Sequence, residues 1–473
     1  MTRRRLLASV PAAWALSRAR LQGAGGKLRA GAATSNITPP LGISLDGPIS
    51  QNGPALDVHD ELHVRCLALD DGATRIAIAI CDSTMIDRDV FDEAKAIAAE
   101  RAGIAPERML LAATHTHSTP RLGVRNGELE RWYREFLPRR IADGVIRAAN
   151  NLAPARIGWG STQVPDYVFN RRWFVKPESN PASPYGESGE RVRMNPPPGD
   201  DLIRPAGPVD PELFVVSVRH EDGRPLALLG NYGLHYMGGS ERGAISADYF
   251  GMFSSKVAEL LGGDHQDPAF VGAMSNGTSG DVNAIDVRKP RERKPPYEAM
   301  RAVADDLARR AVKIAQDAEY RGDLAIGAAF DELELGVRKP DAQRIAWARE
   351  LWAQAKGKDA LTRPEVYARE TLWLAEAPER VKIPMQAFRI GDLGVAAAPC
   401  EVFAETGLAI KKRSPFKATF TIELANAYHG YLPSAQQHEW GGYETWDARS
   451  SQLEVNAEAK IQDEAVRLLK KLA

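Results

Sequence analysis

The chain has 473 residues, and 44% of them are hydrophobic, which is enough for one large α/β domain with insertions or for several average domains. Its 61 basic and 62 acidic residues nearly cancel, so no global charge attracts nucleic acid or an anionic membrane. Three cysteines, Cys66, Cys81 and Cys400, are too few for a disulfide framework.

The first thirty residues differ in kind from the rest of the chain. Arg3, Arg4 and Arg5 precede an apolar run over residues 6–16, an order that is typical of a secretory signal and of a twin-arginine leader in particular. A basic tail without structure is the alternative. No later run is long and apolar enough to span a bilayer. We therefore expect residues 1–28 to be an export signal, which would make the protein periplasmic or secreted, and residues 29–473 to form one domain.

Apolar runs and turn signals predict alternating strands and helices along the rest of the chain. Strands are predicted at residues 62–69, 75–81, 110–113, 213–218, 226–232, 270–274, 381–390, 394–398 and 419–425, with a strand pair within 324–335. Helices are predicted at residues 88–101, 128–150, 250–261, 298–320, 341–356, 364–374, 402–412 and 451–472. This alternation favours the α/β class, with mixed β-sheets layered with helices in a single large domain.

One connection is unusually long. Residues 176–211 are rich in proline, glycine and serine, and they are too many for a plain link between two elements. We expect this segment to be a surface loop that shapes a site.

The segment that follows the predicted strand at 110–113 carries the clearest chemical signal. It reads Thr114-His115-Thr116-His117-Ser118, and the chain has only nine histidines in total. At a two-residue spacing in extended chain, both imidazoles point to the same side. Two surface histidines with ordinary partners would give the same pattern, but their place at a strand end favours a metal or catalytic role.

Other residues that can bind a metal or move protons also follow apolar strands. They are His235, Glu401, Tyr428 and Tyr431. A hydrolytic zinc site takes about three nitrogen or oxygen ligands from the protein and keeps a position open for a water whose pKa it lowers. Two histidines and a carboxylate meet this need, and a tyrosine can be a fourth ligand. Glu401 could equally cap the helix that follows it, so spacing alone leaves both readings open.

Six separated blocks, taken in order, resemble the catalytic domain of the neutral/alkaline, non-lysosomal ceramidases. The blocks are Thr114-His115-Thr116-His117-Ser118, Phe169-Asn170-Arg171, Asn231 with His235, Ser275-Asn276 with Gly280-Asp281-Val282, Pro399-x-Glu401, and Asn426-x-Tyr428-x-x-Tyr431 with Tyr443. The resemblance runs from about Gly31 to the end of the chain. It implies that residues 29–473 are a catalytic domain with an α/β/β/α order of layers.

The resemblance also implies a set of roles. One Zn²⁺ would be held by the ligands His115, His235, Glu401 and Tyr431. Three residues would be catalytic. His117, behind the ligands or against the substrate, would shuttle protons or orient the substrate. Arg171 in the cleft and Tyr443 would bind and polarise the scissile carbonyl. A phenol donor aimed at a developing oxyanion is worth roughly 10²-fold or more in rate. The residues expected to contact substrate are Asn276, Asp281 and Asn283.

The sequence departs from the family in several places. The ceramidases have a catalytically important serine after the Gly-Asp-Val block, where this chain has Asn283, whose amide can donate a hydrogen bond but cannot attack or relay a proton. The glycine before the glutamate is Cys400, the block before Asp281 is longer, and the chain ends before the C-terminal β-sandwich domain of the ceramidases. We therefore expect a zinc-dependent hydrolase of a C–N amide (N-acyl) bond whose substrate is a small or lipid-like compound other than long-chain ceramide.

Two alternatives remain open at this point. The same metal site could serve an esterase or an enzyme that acts on a carbohydrate or uronate derivative. The polar loop, Arg171-Arg172 and the missing serine favour this alternative over ceramide. The chain could also be a non-catalytic binding protein, which Asn283 favours and the retained metal ligands and Tyr443 oppose.

Overall fold

The structure, a computed structural model, describes residues 27–46, 53–120, 122, 127–263, 265–358 and 360–473. The predicted export signal lies outside these ranges, apart from Lys27 and Leu28. Within them, no helix combines the length and the hydropathy that crossing a membrane requires.

The strands in the described ranges are, in chain order, β1 (Arg29–Asn36), β2 (Asp57–Val58), β3 (His63–Asp70), β4 (Arg75–Cys81), β5 (Met109–Ala113), β6 (Ala153–Gln163), β7 (Phe169–Asn170), β8 (Arg172–Val175), β9 (Val192–Met194), β10 (Leu202–Pro205), β11 (Glu212–His220), β12 (Pro225–Tyr232), β13 (Ala244–Ile245), β14 (Val271–Asn276), β15 (Val282–Asn283), β16 (Ile326–Gly336), β17 (Arg380–Ile390), β18 (Leu393–Ala397), β19 (Glu401–Val402), β20 (Ala418–Ile422) and β21 (Tyr431–Leu432). The helices there are α1 (Arg88–Ala102), α2 (Glu128–Asn150), α3 (Asp248–Leu261), α4 (Glu298–Asp317), α5 (Ala342–Ala355), α6 (Arg363–Glu376), α7 (Ala404–Arg413), α8 (Ala435–Trp440) and α9 (Ala457–Leu472).

Eight strands form one mixed sheet in the order β14-β12-β11-β6-β1-β3-β4-β5. Its neighbours are antiparallel except for the parallel pairs β12/β14 and β4/β5. Strand β6 pairs with β1 over two residues only but with β11 over nine, so the sheet has two halves that meet at β6. Apolar side chains of both halves, such as Ile78 and Leu229, share one core cluster. The halves therefore face each other, and β4 is apolar from Ile76 to Cys81 because both of its faces are buried there.

Helices cover the outer faces of these two halves. Helices α1 and α2 pack on the half with β3 and β4, and α3 and α4 pack on the half with β11 and β12. A four-stranded sheet, β16-β17-β18-β20, joins the same interior, where Phe214 and Phe420 have ring centroids 5.0 Å apart. Helix α9 covers the outer face of this second sheet. The layers run helix, sheet, sheet, helix, which confirms the predicted α/β fold in a single domain.

Three details differ from the sequence-based expectation. Residues 324–335 contribute the single strand β16, which pairs with β17 from Ile326 to Gly336 instead of turning back on itself. The acidic residues of this edge strand lie exposed, and Asp331 pairs with Arg467. The sequence places Trp132 on the apolar stripe of α2 with Phe136, Ile141 and Val145, but Trp132 is 45% exposed and the buried apolar residues of the helix start at Tyr133. The last helix starts at Ala457.

Candidate metal centre

Three imidazoles and one carboxylate converge at one point inside the protein. The Nε2 atom of His115 lies 3.1 Å from Nε2 of His235, 3.3 Å from Nε2 of His117 and 3.2 Å from Oε2 of Glu401. The Nε2 of His235 lies 3.8 Å from the same Oε2. Around a tetrahedral zinc ion with bonds of about 2.1 Å, neighbouring ligand atoms lie about 3.4 Å apart. The grouped histidines could therefore hold a metal ion, and the nearby carboxylate could complete the set.

Backbone carbonyls fix the tautomers of two of these histidines. The Nδ1–H of His115 donates to the carbonyl of Thr84 at 2.7 Å, and the Nδ1–H of His235 donates to that of Ser279 at 3.1 Å. Each Nε2 therefore presents a lone pair to the other as long as the rings are neutral. Burial, followed by His115 and Arg171, lowers the pKa of His235 well below its ordinary value and keeps it neutral. Two lone pairs in contact repel unless a cation lies between them.

Glu401 has one satisfied oxygen and one unsatisfied oxygen. Its Oε1 accepts a hydrogen bond from the hydroxyl of Tyr428 at 2.9 Å. Its Oε2, which faces His115, has no hydrogen-bond donor among the described residues although it is buried. Leaving a buried carboxylate oxygen without a donor is unfavourable by more than about 1–3 kcal/mol. A metal ligand would have this geometry, so the residues fit the ion.

The chain turns sharply at the first histidine. His115 has a left-handed backbone with φ of 75°, so the segment after β5 is not extended as the sequence analysis assumed. The turn still brings its ring to that of His117, with centroids 4.6 Å apart at 87°. A non-glycine residue in this region costs about 1–3 kcal/mol and is found most often at functional sites. The predicted convergence of the two rings is confirmed, through a turn instead of strand alternation.

Two tyrosines border the cluster. Tyr431 pairs with Glu401 in the short parallel strands β21 and β19, and its ring meets that of Tyr443 edge-on at 5.7 Å. The guanidinium carbon of Arg171 lies 5.2 Å from the centre of the Tyr431 ring. Burial first, and then the charge of Glu401, raises the pKa of both phenols. Both therefore keep their protons at neutral pH, and Tyr443 can act as a hydrogen-bond donor.

Two adjacent arginines share one buried carboxylate. The Nε of Arg171 donates to Oε1 of Glu444 at 2.8 Å, and Nη1 of Arg172 donates to Oε2 at 2.5 Å. The Nη1 of Arg171 lies 3.3 Å from Nε2 of His235, and its Nη2 is buried without an acceptor among the described residues. Glu444 thus aims Arg171 at the cluster. Sequence analysis missed it, although its place directly after Tyr443 was a usable signal.

Asp281 makes contacts within the protein on all its oxygens. Its carboxylate accepts hydrogen bonds from Nδ2 of Asn170 at 2.7 Å and from the backbone N–H of Ala404 at 2.8 Å, and its carbonyl accepts one from the N–H of Arg171. The side chain is fully buried, and burial raises the pKa of this carboxyl to about 6. In this structure Asp281 positions Arg171 and the start of α7.

The other two predicted substrate residues differ from each other. The amide of Asn276 is fully buried at the end of β14, and neither of its polar atoms has a hydrogen-bond partner among the described residues. The amide of Asn283 donates to Oδ1 of Asn195 in the long loop at 3.0 Å and accepts from the N–H of Ile285 at 3.1 Å. Asn283 therefore ties the long loop to the segment after Asp281.

Two further residues support the cluster and were missed by sequence analysis. Glu423 accepts from the hydroxyl of Ser279 and from the N–H of Val402, both at 2.7 Å, and so fixes the loop whose carbonyl orients His235. Glu423 follows the apolar strand β20, the same signal that singled out Glu401. The ring of Tyr236 stacks on His117 with centroids 3.7 Å apart at 11°.

The comparisons with known proteins agree with the fold described above. No family model matches the chain, and no curated protein does. Among solved structures, neutral ceramidase from Pseudomonas aeruginosa superposes with a TM-score of 0.70 at 19% identity, over 94% of this chain and 74% of that one. A ceramidase complexed with C2 superposes with a TM-score of 0.70 at 18% identity, over 94% of this chain and 75% of that one. The chain therefore has the neutral ceramidase fold that its sequence blocks indicated.

Proposed function

We propose that this chain is a metal-dependent hydrolase of an amide (N-acyl) bond, with Zn²⁺ as the expected ion. The observation that carries the proposal is the convergence of two Nε2 atoms, from His115 and His235, on a Glu401 oxygen that has no donor among the described residues. Tyr431 would be the fourth ligand. A bound divalent ion would polarise a carbonyl and lower the pKa of a coordinated water. The ceramidase fold supports this class of reaction.

The residues around the cluster supply donors for a substrate carbonyl. The protonated phenol of Tyr443 and the Nη2 of Arg171, which has no acceptor among the described residues, both lie beside Tyr431. Fixed donors of this kind stabilise the negative charge that a carbonyl oxygen gains in the transition state. His117 is neutral, because burial lowers the pKa of its ring, and a neutral imidazole can accept a proton.

Metal analysis tests the proposal. Elemental analysis of the wild type should give about one ion per chain, and His115→Ala should lose it. His59→Ala is a matched control, because His59 stacks on Tyr297 and forms no part of the cluster. A wild type that takes up no ion when zinc is supplied, and that a chelator leaves unchanged, would exclude the proposal.

The fourth ligand can be identified in the same way. The Nε2 of His117 lies as close to His115 as a fourth ligand would, whereas Tyr431 is the residue that the resemblance favours. We expect Tyr431→Phe to weaken metal binding and His117→Ala to retain the metal. The reverse result would exchange the roles of the two residues.

The substrate and the location of the protein belong to the same proposal. We expect a small or lipid-like N-acyl substrate other than long-chain ceramide, and an exported protein from which residues 1–28 have been removed. A screen of N-acyl compounds against matched esters tests the bond, and N-terminal sequencing of the protein recovered from cells tests the signal.

A further inference from the structure

A second recess adjoins the candidate metal centre and shares no metal ligand with it. It measures about 450 Å³, within the range of small-molecule pockets, and it is lined by the long loop near Tyr185, by Arg344 of α5 and by the turn that follows Tyr443. Tyr443 meets Trp446 of the recess edge-on at 5.9 Å and Tyr431 of the centre at 5.7 Å. Two ring contacts therefore connect the recess with the centre.

The two arginines of the recess are each matched by a carboxylate. Arg344 pairs with Glu187 at 2.6 Å, and Arg338 pairs with Asp447 at 2.9 Å. A carboxylate has about four acceptor sites, so each pair keeps hydrogen-bonding capacity after its charges cancel. Among the described residues that line the recess, both arginines are paired, so the walls offer hydrogen bonds and no unpaired cation that would select an anion.

Two more polar groups add to this capacity. Burial, followed by the charge of Arg338, lowers the pKa of His438 to about 3, so its ring is neutral and offers one donor and one acceptor. Glu190 accepts a hydrogen bond from Nε1 of Trp446 at 2.7 Å, and burial raises the pKa of its carboxyl.

Aromatic rings supply the apolar part of the wall. The ring of Tyr185 is held by Trp347 at 5.6 Å and by Tyr367 at 5.8 Å, and the guanidinium of Arg344 lies 3.5 Å from its centre. Tyr367 also holds the ring of Trp446 at 5.4 Å. Rings that are already fixed by their neighbours can take a ligand with little loss of conformational entropy.

We propose that this recess binds a neutral, hydroxyl-rich group of the substrate, such as a sugar ring. A sugar ring has C–H groups that pack on aromatic side chains, and its hydroxyls both donate and accept, as the paired arginines and carboxylates require. A fatty chain would leave those polar groups unsatisfied, and an anionic sugar would face more carboxylates than arginines. The inference rests on the proposed function for the bond that reacts, but the binding itself does not depend on metal or turnover.

Ligand-observed NMR titration tests the binding. The protein is the full chain carrying Tyr443→Phe, so that any turnover of the probes is slow during the titration, and the probes are N-acetylglucosamine, glucuronic acid and N-octanoylethanolamine. N-acetylglucosamine should bind most tightly of the three. Adding Tyr185→Leu should weaken its binding about tenfold or more, which is 1.4 kcal/mol, while adding Trp132→Leu, on the exposed side of α2, should not.

A charge variant tests the pairing argument. Glu187→Gln leaves Arg344 without its carboxylate, so it should weaken N-acetylglucosamine binding and strengthen glucuronic acid binding. The proposal is overturned if no sugar binds, if glucuronic acid binds best before the substitution, or if Tyr185→Leu has no effect. Sugar binding without amide hydrolysis in the wild type would reject the proposed function alone, and hydrolysis of simple N-acyl amines without sugar binding would reject the recess alone.

Discussion

One carboxylate, that of Glu444, compensates two buried guanidinium groups. Replacing it with glutamine keeps the shape but removes the carboxylate that forms ion pairs with both Arg171 and Arg172. Breaking a buried ion pair on one side typically costs about 3–5 kcal/mol. We therefore expect Glu444→Gln to lower the free energy of unfolding by that amount in urea denaturation, and to reduce activity because Arg171 loses its orientation. Glu439→Gln, on the exposed side of α8, is the control. A loss below about 1 kcal/mol would mean that solvent reaches these arginines.

Removing the hydroxyl of Tyr443 tests whether this single residue donates a hydrogen bond to the substrate carbonyl. Because burial and Glu401 keep this phenol protonated, it can donate to an oxyanion, and a donor that acts only in the transition state affects kcat more than KM. Tyr443→Phe should lower kcat about 10²-fold or more with metal content and KM unchanged. Tyr320→Phe, whose hydroxyl bonds Ser217, should leave both parameters as they are. A rise in KM alone would show that Tyr443 only binds substrate.

At the scale of elements, α1 carries an unusual buried lysine. Lys95 donates to Oδ1 of Asn426 at 2.7 Å, and burial lowers its pKa from 10.5 to about 8. Between about pH 8 and 10.5 the unfolded chain binds one proton more than the native chain, so native stability should rise with pH in this window. Below about pH 8 the native chain buries the charged ammonium group of Lys95, and the full desolvation cost lowers its stability.

Removing that charge should therefore stabilise the protein at neutral pH. We expect Lys95→Met to raise the free energy of unfolding at pH 7 by roughly 1–2 kcal/mol, after allowing for the lost hydrogen bond, and to remove the rise above pH 8. Asn426 keeps a second donor, the N–H of Leu111 at 3.2 Å. Denaturation curves at pH 7 and pH 10, with Lys470→Met on exposed α9 as control, provide the measurement. If Lys95→Met lowered the free energy of unfolding equally at both pH values, the role of Lys95 would be purely structural.

Elements also show how far the sequence could predict the structure. The helices α1 and α2 begin at the predicted residues, because periodicity and turn signals define them locally. The strands β19 and β21 have two residues each, too few for a hydrophobic pattern, so the sequence could not predict them. Their register nevertheless places Glu401 beside Tyr431. The left-handed backbone of His115 was likewise unpredictable, because only tertiary contacts hold a non-glycine residue in that conformation.

The candidate site likewise contains some residues that the sequence could identify and others that it could not. Residues that follow apolar strands, such as His115 and Glu401, could be found because strand ends are where sites collect in α/β folds. The place of Glu444 directly after Tyr443 was a signal, but only the fold shows that its carboxylate is buried between Arg171 and Arg172. The substrate role expected for Asp281 stays a prediction, since the structure gives its oxygens to protein groups.

At the scale of the whole molecule, the candidate ligands come from three separate parts of the β core. His115 follows β5 in one half of the large sheet, His235 follows β12 in the other half, and Glu401 follows β18 of the second sheet. A bound ion would therefore link all three, in addition to any role in catalysis. Since the unfolded chain has no preformed site, such an ion stabilises the native state by mass action.

Removing the ion should consequently lower the melting temperature of the whole domain. At a thousandfold excess over its Kd, an ion contributes about 4 kcal/mol, which corresponds to a shift of several degrees. Scanning calorimetry should show one transition that falls on chelation and recovers when zinc is added back. His115→Ala should melt at one temperature with or without chelator, and His59→Ala should behave like the wild type. If chelation split the transition and lowered the melting temperature of only one part, the ion would stabilise one layer only. The two sheets would then be held together by their apolar interface alone.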